Sequence, residues 1–175
     1  SAVSDKTIRD PINYYIRPVE STTGAVTAFA EATGQSNLRA GTFLALSTAL
    51  DRCMRTFTKF PRWCPDCLAE FDQADGEPYL KLVWQVGPIA SCPTHGTPLQ
   101  SQCPHCRRHQ DSYGHRPRCS ICVRCGGSLS VATDRAAASP YAQVDGTDIC
   151  ELIERMGTDP DYDFPAGGVR RVASE

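Results

Sequence analysis

The first third of the chain carries apolar residues at helical spacing. Residues 22–33 are small and helix-compatible, with a cap at Ser21 or Thr22 and a terminating Gly34. One face of this segment holds Val26, Phe29 and Ala30. A second amphipathic stripe, widened by Met54, holds Phe43, Leu46, Leu50, Cys53 and Phe57. The two stripes predict a helical hairpin within an N-terminal helical region, residues 1–60.

Further along, the spacing of apolar residues changes from helical to alternating. Leu80, Leu82, Trp84 and Val86 alternate with Lys81 and Gln85. This alternation predicts a half-buried strand that Gly87 and Pro88 turn back toward Cys92, forming a short β-hairpin. A short helix over the same residues is the alternative.

The C-terminal part contains one more helical pattern. An alanine-rich linker follows Ser130, and a short helix is predicted from Asp148 to Met156, ending at Gly157. The last eighteen residues are rich in proline, glycine and acids. They predict a mobile tail, so residues 131–175 are expected to form a linker, a short helix and a tail.

Four pairs of potential metal ligands lie between residues 64 and 125. Two residues separate the members of each pair: Cys64/Cys67, Cys92/His95, Cys103/Cys106 and Cys122/Cys125. Such a pair on a tight turn directs both ligand atoms toward one tetrahedral ion, and two pairs complete a site. The spacing therefore predicts two Zn²⁺ ions, one in a module at residues 61–100 and one at residues 101–130.

The first site is predicted from Cys64, Cys67, Cys92 and His95, and the second from Cys103, Cys106, Cys122 and Cys125. Four protein ligands leave no position for substrate, so both sites are expected to be structural. Cys119 could replace Cys122 or Cys125 as a ligand. The glycines at 126 and 127 favour Cys122 and Cys125 as the ligand pair, because a glycine after the second cysteine relieves crowding in the turn. Cys53 and Cys150 are expected to be buried packing residues.

The histidines of the second module have less specific surroundings than His95. His105, His109 and His115 all lie in a segment rich in arginine. We expect them to be solvated or to face phosphate rather than to bind metal.

Composition indicates a small protein with reduced cysteines. The chain has 175 residues and 10 cysteines, and its first residues show no apolar run like a signal peptide. This favours metal-bound thiolates in a reducing cytoplasm over disulfides. No apolar stretch reaches the roughly twenty residues of a membrane-spanning helix.

Charge is distributed unevenly although the net charge is only -2. The segment 66–77 is an acidic loop with five acids and no base, whereas residues 101–130 carry five arginines against Asp111. The arginines are Arg107, Arg108, Arg116, Arg118 and Arg124. They are interpreted as contacts to nucleic-acid phosphates, and a solvated charged face is the alternative.

No sequence pattern indicates catalysis. There is no glycine-rich phosphate loop and no His-Glu-x-x-His motif. Cys64 and Cys67 could form a redox dithiol, but such a motif starts a helix after a strand, and here Pro61 precedes it. A thiol redox protein is thus the enzymatic alternative to a protein without catalytic residues.

Several of these motifs, in this order and spacing, resemble the TniQ family. They are Trp63-Cys64-Pro65-Asp66-Cys67-Leu68, the segment 78–85, Cys92-Pro93-Thr94-His95-Gly96 with Leu99, Cys103-Pro104-His105-Cys106, and residues 122–126 with Leu129. Arg17-Pro18 and Glu20-Ser21 resemble the family's opening motif, so the resemblance covers roughly Tyr14 to Leu129.

The resemblance implies a non-catalytic adaptor in DNA transposition, located in the bacterial cytoplasm. Such an adaptor links DNA, or an RNA-guided targeting complex, to an AAA+ transposition ATPase. A generic zinc-ribbon module that binds nucleic acid is the alternative. The expected fold is mainly α with two small zinc-ribbon-like modules, of treble or ribbon knuckles, that contain short β-hairpins.

Overall fold

The computed structural model describes residues 20–46, 57–74, 77–110, 118–132 and 147–158. These residues fall into two compact units. The knuckle unit comprises the described residues from 57 to 150, and the helical unit comprises residues 20–46 and 151–158. The predicted division into modules at residue 100 stays a prediction.

Helices are the regular elements of the described residues. The α-helices are α1 (Glu20–Thr33), α2 (Pro65–Gln73) and α3 (Thr147–Thr158), and short 3-10 turns span Leu38–Gly41, Leu44–Leu46 and Leu82–Gln85. These ranges contain isolated β-bridges but no strand. The predicted helices at 22–33 and 148–156 are confirmed by α1 and α3, whereas the predicted β-hairpins are not seen in the described residues.

Helix α1 forms where the small-residue pattern predicted it and ends at a glycine. Gly34 adopts a φ of 70° and donates its N–H to the carbonyl of Ala30 at 2.8 Å. This left-handed residue ends the helix at little steric cost because glycine lacks a Cβ. Val26 and Ala30 are half-buried, but Phe29 is 60% exposed, so the predicted apolar face is only partly covered.

The predicted helix from Phe43 to Phe57 is wrong at its described ends. Phe43 lies before the turn Leu44–Leu46, and Phe57 forms an isolated bridge with Val86. Thr42 explains the first change, because its hydroxyl donates to Arg39 and accepts from the N–H of Leu44. Residues 47–56 lie outside the described residues, and so do Leu50, Cys53 and Met54.

The segment predicted as an acidic loop instead begins with α2. Cys64 is extended at the N-cap and Pro65 occupies the first turn, where its missing N–H costs nothing. Asp66 places a negative charge at the positive end of the helix dipole. No β-branched residue follows, and the N–H of Ala74 closes the helix on the carbonyl of Glu70.

The predicted strand Leu80–Val86 is also wrong, because Leu82–Gln85 forms a 3-10 turn. Four consecutive residues, 83–86, are buried, so the alternation in sequence does not become an alternation of burial. Arg62 fixes this conformation through its buried guanidinium, which donates to the carbonyls of Trp84 and Val86 at 2.7 and 2.5 Å. The short-helix alternative for this segment is the better description.

The remaining features concern α3 and the core. Helix α3 confirms the short helix predicted at 148–156, and Met156 on it is buried. Six large apolar side chains of the knuckle unit are almost completely buried; they are Trp63, Leu68, Trp84, Ile89, Leu99 and Leu129. None of the described helices has the length and apolar character needed to cross a bilayer.

Candidate metal centres

Three of the four ligand pairs lie on the same backbone turn, which we call a knuckle. The knuckles span residues 92–97, 103–108 and 122–127. In each, the residue four positions after the leading cysteine donates its N–H to that cysteine's carbonyl, at 2.7, 2.9 and 3.0 Å respectively. The cysteine N–H donates in turn to the carbonyl one residue further, at 2.8–2.9 Å. An isolated antiparallel bridge closes each knuckle at its base.

The fourth pair, Cys64 and Cys67, lies on a helix start rather than on a knuckle. Cys64 precedes the first residue of α2, Cys67 is in the first turn, and Leu68 donates its N–H to the Cys64 carbonyl at 3.1 Å. The first turn of a helix brings residues three apart onto one side, as a knuckle does. Its free N–H groups and dipole also favour negatively charged thiolates.

The first tetrad comprises Cys64, Cys67, Cys92 and His95, whose ligand atoms all lie within 4.8 Å of one another. His95 Nδ1 is 3.6, 3.3 and 3.8 Å from the three sulfurs in that order, and the sulfurs of Cys67 and Cys92 are 3.7 Å apart. A tetrahedral ion with Zn–S bonds of about 2.3 Å and a Zn–N bond of about 2.05 Å requires edges of about 3.8 and 3.6 Å. The tetrad therefore fits such an ion.

The second tetrad comprises Cys103, Cys106, Cys122 and Cys125, again with all sulfurs within 4.8 Å. The sulfurs of Cys103 and Cys125 are 3.7 Å apart, as are those of Cys106 and Cys122. These distances match a thiolate tetrahedron and greatly exceed a disulfide bond of about 2.05 Å. None of the described cysteines forms a disulfide, and Cys119 is described but lies outside both tetrads.

Two side chains of α2 and the following loop support the first tetrad from outside. The imidazole of His95 turns Nδ1 to the sulfurs, so Nε2–H donates to Glu70 Oε1 at 3.0 Å. This bond and the contact with Cys92 raise the pKa of His95. A carboxylate behind a histidine fixes the ring and strengthens it as a ligand. Lys81 donates its ammonium to the sulfur of Cys67 at 3.3 Å, which offsets thiolate charge.

The second tetrad is supported by Gln110, which is fully buried. Its amide nitrogen donates to Cys122 Sγ at 3.3 Å and to the Arg108 carbonyl at 3.2 Å, and its oxygen accepts the N–H of Val123 at 3.1 Å. One side chain thus joins the two knuckles. Sequence reasoning missed Gln110, because an isolated glutamine carries no pattern that marks it as buried.

The thiols of each tetrad differ strongly in acidity. Burial raises the pKa of Cys64 to about 12 and that of Cys103 to about 12. Burial also acts on Cys122, but N–H donors from Cys125 and Arg124 and the Gln110 amide outweigh it and lower the pKa to about 6. For Cys92, burial is similarly outweighed by donors from His95 and Thr94, and the pKa falls to about 7. In each tetrad the surroundings thus lower the pKa of one thiol, Cys92 or Cys122, and raise the pKa of another, Cys64 or Cys103.

Direct hydrogen bonds connect the surroundings of the two tetrads. Trp63 exchanges backbone bonds with Gln100 at 3.0 and 2.9 Å, and its indole Nε1–H donates to the Leu129 carbonyl at 3.0 Å. Asp72 at the end of α2 accepts from the hydroxyls of Ser120 and Ser130, each at 2.9 Å. The helix that carries two ligands of the first tetrad is thus fastened to the knuckle that carries two ligands of the second.

Two of the histidines predicted to be solvated or phosphate-facing are described, and of these His105 is exposed and His109 is half-buried. The His105 ring covers Gly127 so closely that a Cβ there would overlap it, and Nε2–H donates to the Ser128 carbonyl at 3.1 Å. The His109 ring stacks on Phe60 with centroids 4.0 Å apart. Neither ring joins a tetrad, and His115 lies outside the described residues.

The arginines predicted to contact nucleic acid lie on or beside the second tetrad's knuckles. Arg107, Arg108 and Arg124 are exposed, and Arg118 is half-buried. Arg116 lies outside the described residues. The interpretation of these arginines as nucleic-acid contacts stays a prediction.

Comparison with known proteins identifies one family. The TniQ family model matches residues 48–99, a segment that contains all four members of the first tetrad. No curated protein matches the chain significantly. The match confirms the family resemblance for residues 48–99, and the resemblance outside this segment stays a prediction.

Proposed function

Proceeding from the TniQ match over residues 48–99, we propose that this chain is a non-catalytic, zinc-binding adaptor in DNA transposition. It links recognition of the target site to an AAA+ transposition ATPase and contacts DNA directly. The observation that carries the proposal is the position of the first tetrad inside the matched segment. The segment that resembles the family therefore contains a complete candidate metal site.

Zinc is the metal that the two donor sets favour. Structural zinc sites are typically formed by three thiolates and one imidazole, as in the first tetrad, or by four thiolates, as in the second. The distances between ligand atoms also agree with those around a tetrahedral zinc ion. The ligands are Cys64, Cys67, Cys92 and His95 in one site, and Cys103, Cys106, Cys122 and Cys125 in the other. When bound, each ion supplies cross-linking of chain segments that the small apolar core alone would hold weakly.

A closed ligand set supports a structural rather than a catalytic role. Each tetrad supplies four protein atoms, whereas catalytic zinc keeps a position for water or substrate. Gln110 and Lys81 further surround the sulfurs with donors instead of an open cavity. The function is accordingly binding, and the metals act by holding the binding surfaces in shape.

Surface charge supports two kinds of partner on the knuckle unit. Helix α2 carries Asp66 and the largely exposed Glu70, whereas the knuckles of the second tetrad carry exposed arginines. The exposed arginines are Arg107, Arg108 and Arg124, and Arg116 and Arg118 are the other two residues predicted to contact nucleic acid. Guanidinium groups form bidentate bonds with phosphate, so we assign this side to DNA and leave the ATPase to other surfaces.

Co-purification with the AAA+ ATPase of the same transposon tests the adaptor proposal. Zinc-loaded protein is expected to retain the ATPase, and Cys92→Ser, which breaks the first tetrad, is expected to lose it. Cys119→Ser is the matched control, since Cys119 lies outside the tetrads. If the intact protein binds DNA but never the ATPase, the adaptor hypothesis is rejected in favour of a generic zinc-ribbon module that binds nucleic acid.

A redox function has one observation in its favour, because the Cys64/Cys67 pair does start a helix. The surroundings of the pair oppose it. Cys67 lies 3.7 Å from Cys92 and 3.3 Å from His95, and burial raises the pKa of Cys64 to about 12. A redox nucleophile instead requires a lowered pKa and a free partner thiol.

A further inference from the structure

Arg107 occupies a backbone conformation that the other two knuckles give to glycine. Its φ is 58°, and among the described residues it is the only non-glycine residue with a positive φ. Gly96 and Gly126 hold the equivalent positions, with φ of 68° and 72°. All three donate the N–H to the leading cysteine's carbonyl, so the knuckle itself dictates this conformation.

An arginine is an unfavourable choice at this position. L-residues with a Cβ are strained in the left-handed region, whereas glycine enters it freely. Strained residues of this kind concentrate at functional sites, because a binding role can maintain them against the structural preference. The comparison among knuckles is internal to this chain, and it shows that glycine satisfies the same hydrogen bonds.

The two segments that carry the second tetrad are rich in arginine, and Asp72 is the acid that contacts them through Ser120 and Ser130. Residues 101–110 and 118–132 contain four arginines and no acidic residue. Arg107 and Arg108 follow Cys106, and Arg124 lies between Cys122 and Cys125, so residues from both knuckles flank one group of four sulfurs. Arg107, Arg108 and Arg124 are exposed residues.

We propose that Arg107 is an anchor for a nucleic-acid phosphate, held by its left-handed backbone at the tip of the second knuckle. The inference rests on the DNA contact in the proposed function and assigns that contact a principal residue. Rigid backbone geometry around the tetrad fixes the Cα–Cβ direction, so less freedom is lost when the side chain binds phosphate. Arg108 and Arg124 supply further positive charge for the nucleic acid that Arg107 binds.

The test measures binding and stability of zinc-loaded protein in parallel. Binding of a fluorescent random-sequence DNA duplex is followed by anisotropy from 50 to 300 mM salt, and thermal unfolding is followed by circular dichroism. Arg107→Gly is expected to weaken binding about five- to tenfold at 0.1 M salt and to reduce the salt slope by about one. The same change is expected to raise the unfolding midpoint by about 1–4 °C.

Two further variants separate charge from conformation. Arg107→Lys keeps the charge and the strained backbone but loses the forked guanidinium donors, so we expect the salt slope of wild type, binding weakened less than in Arg107→Gly, and no gain in stability. Arg155→Ala removes one positive charge on α3, and we expect the salt slope to stay unchanged. Metal content by native mass spectrometry confirms that every variant carries two ions.

The outcomes are decisive in each direction. Weaker binding together with higher stability in Arg107→Gly supports the anchor, because a purely structural role would not weaken binding while raising stability. Unchanged binding and salt slope in Arg107→Gly overturn it. Displacement of the DNA by polyglutamate at equal charge would also overturn it, since an acidic protein would then be the better ligand.

This result is independent of the ATPase experiment. If the adaptor proposal fails but Arg107→Gly still weakens DNA binding, the anchor stands and the generic zinc-ribbon reading gains. If the intact protein binds the ATPase but no duplex, the anchor fails and the adaptor proposal survives without its DNA contact.

Discussion

The indole N–H of Trp63 donates to the carbonyl of Leu129 across 66 residues of sequence, at 3.0 Å. Trp63 directly precedes Cys64, the first ligand of the first tetrad, and Leu129 follows the third knuckle. Both side chains are almost completely buried. A single bond thus connects the residue before the first tetrad with a residue after the third knuckle, and we expect the stabilities of the two centres to be coupled.

Trp63→Phe tests this coupling. Phenylalanine keeps most of the apolar volume but leaves the Leu129 carbonyl without its donor, which costs about 1–3 kcal/mol. We expect the denaturation midpoint to fall, and zinc to be lost from both centres at a lower chelator concentration. Tyr79→Phe, at an exposed aromatic residue, is the control and should change neither quantity. Loss of zinc from the first centre alone would contradict the coupling.

Asp72 provides a second connection that can be measured pairwise. Its carboxylate accepts one bond from Ser120 and one from Ser130, each at 2.9 Å. In a double-mutant cycle of Asp72→Ala and Ser120→Ala, we expect a coupling free energy of about 0.5–1.5 kcal/mol in urea unfolding. Gln73→Ala, on the exposed surface beside it, should not couple to Ser120→Ala. A strictly additive Asp72–Ser120 cycle would rule out the bond as a stabilising link.

Glu70 is expected to tune only the first centre. The variant Glu70→Gln removes the charge that orients the His95 ring and makes it a stronger ligand. Loss of such a carboxylate behind a ligating histidine weakens metal binding about 10- to 100-fold. Competition with a chromogenic chelator should therefore show one weakened zinc and one unchanged zinc. Glu77→Gln, another exposed acid in the same region, serves as the control. Equal affinities in Glu70→Gln and wild type would show that the carboxylate does not act on the ligand.

Arg62 holds the turn at Leu82–Gln85, and lysine is not expected to replace it. Burial lowers the pKa of Arg62 to about 10, and its guanidinium spans the carbonyls of Trp84 and Val86. One ammonium cannot reach both in the same geometry, so Arg62→Lys leaves a buried acceptor unpaired. We expect a loss of about 2–4 kcal/mol in urea unfolding. A loss below about 0.5 kcal/mol would show that the turn forms without this network.

The spacing of ligands was enough to predict which side chains would meet. Pairs with two residues between them, such as Cys92 and His95, restrict both ligand atoms to one side of a turn whatever the rest of the chain does. The same spacing did not reveal that Cys64 and Cys67 lie on a helix, because a helical first turn and a knuckle present the two residues alike. Local spacing therefore predicts which side chains come together but not the backbone that carries them.

Contacts over long sequence separations were beyond the sequence pattern. Leu80–Val86 alternates like a strand, yet the distant Arg62 organises it as a 3-10 turn. Gln110 and Asp72 gain their importance only from partners 12 to 58 residues away. The spacing of apolar residues predicts which face of an element is buried. It does not predict a buried polar side chain that donates to several carbonyls or sulfurs at once.

Zinc binding at the second centre is expected to depend on pH, and the thiol pKa values determine the sign of this dependence. The pKa of Cys122 is lowered from 9.0 to about 6, so its favourable contribution is complete above pH 9 and disappears as pH falls through about 6. Cys103, with a pKa raised to about 12, and Cys125, with a raised pKa, instead keep their protons at neutral pH and must release them to bind zinc. Because at least two protons leave, affinity at the second centre should rise by at least about a hundredfold per pH unit near pH 7.

Chelator competition at pH 6.5, 7.0 and 7.5 measures this slope. Gln110→Leu removes a donor that stabilises the Cys122 thiolate, and it is expected to weaken zinc at the second centre most strongly at the lowest pH. Glu70→Gln, which acts on the other centre, is the matched comparison. A slope below about tenfold per pH unit would mean that the thiols of the second centre are already ionised before zinc arrives, against the acidities that their surroundings impose.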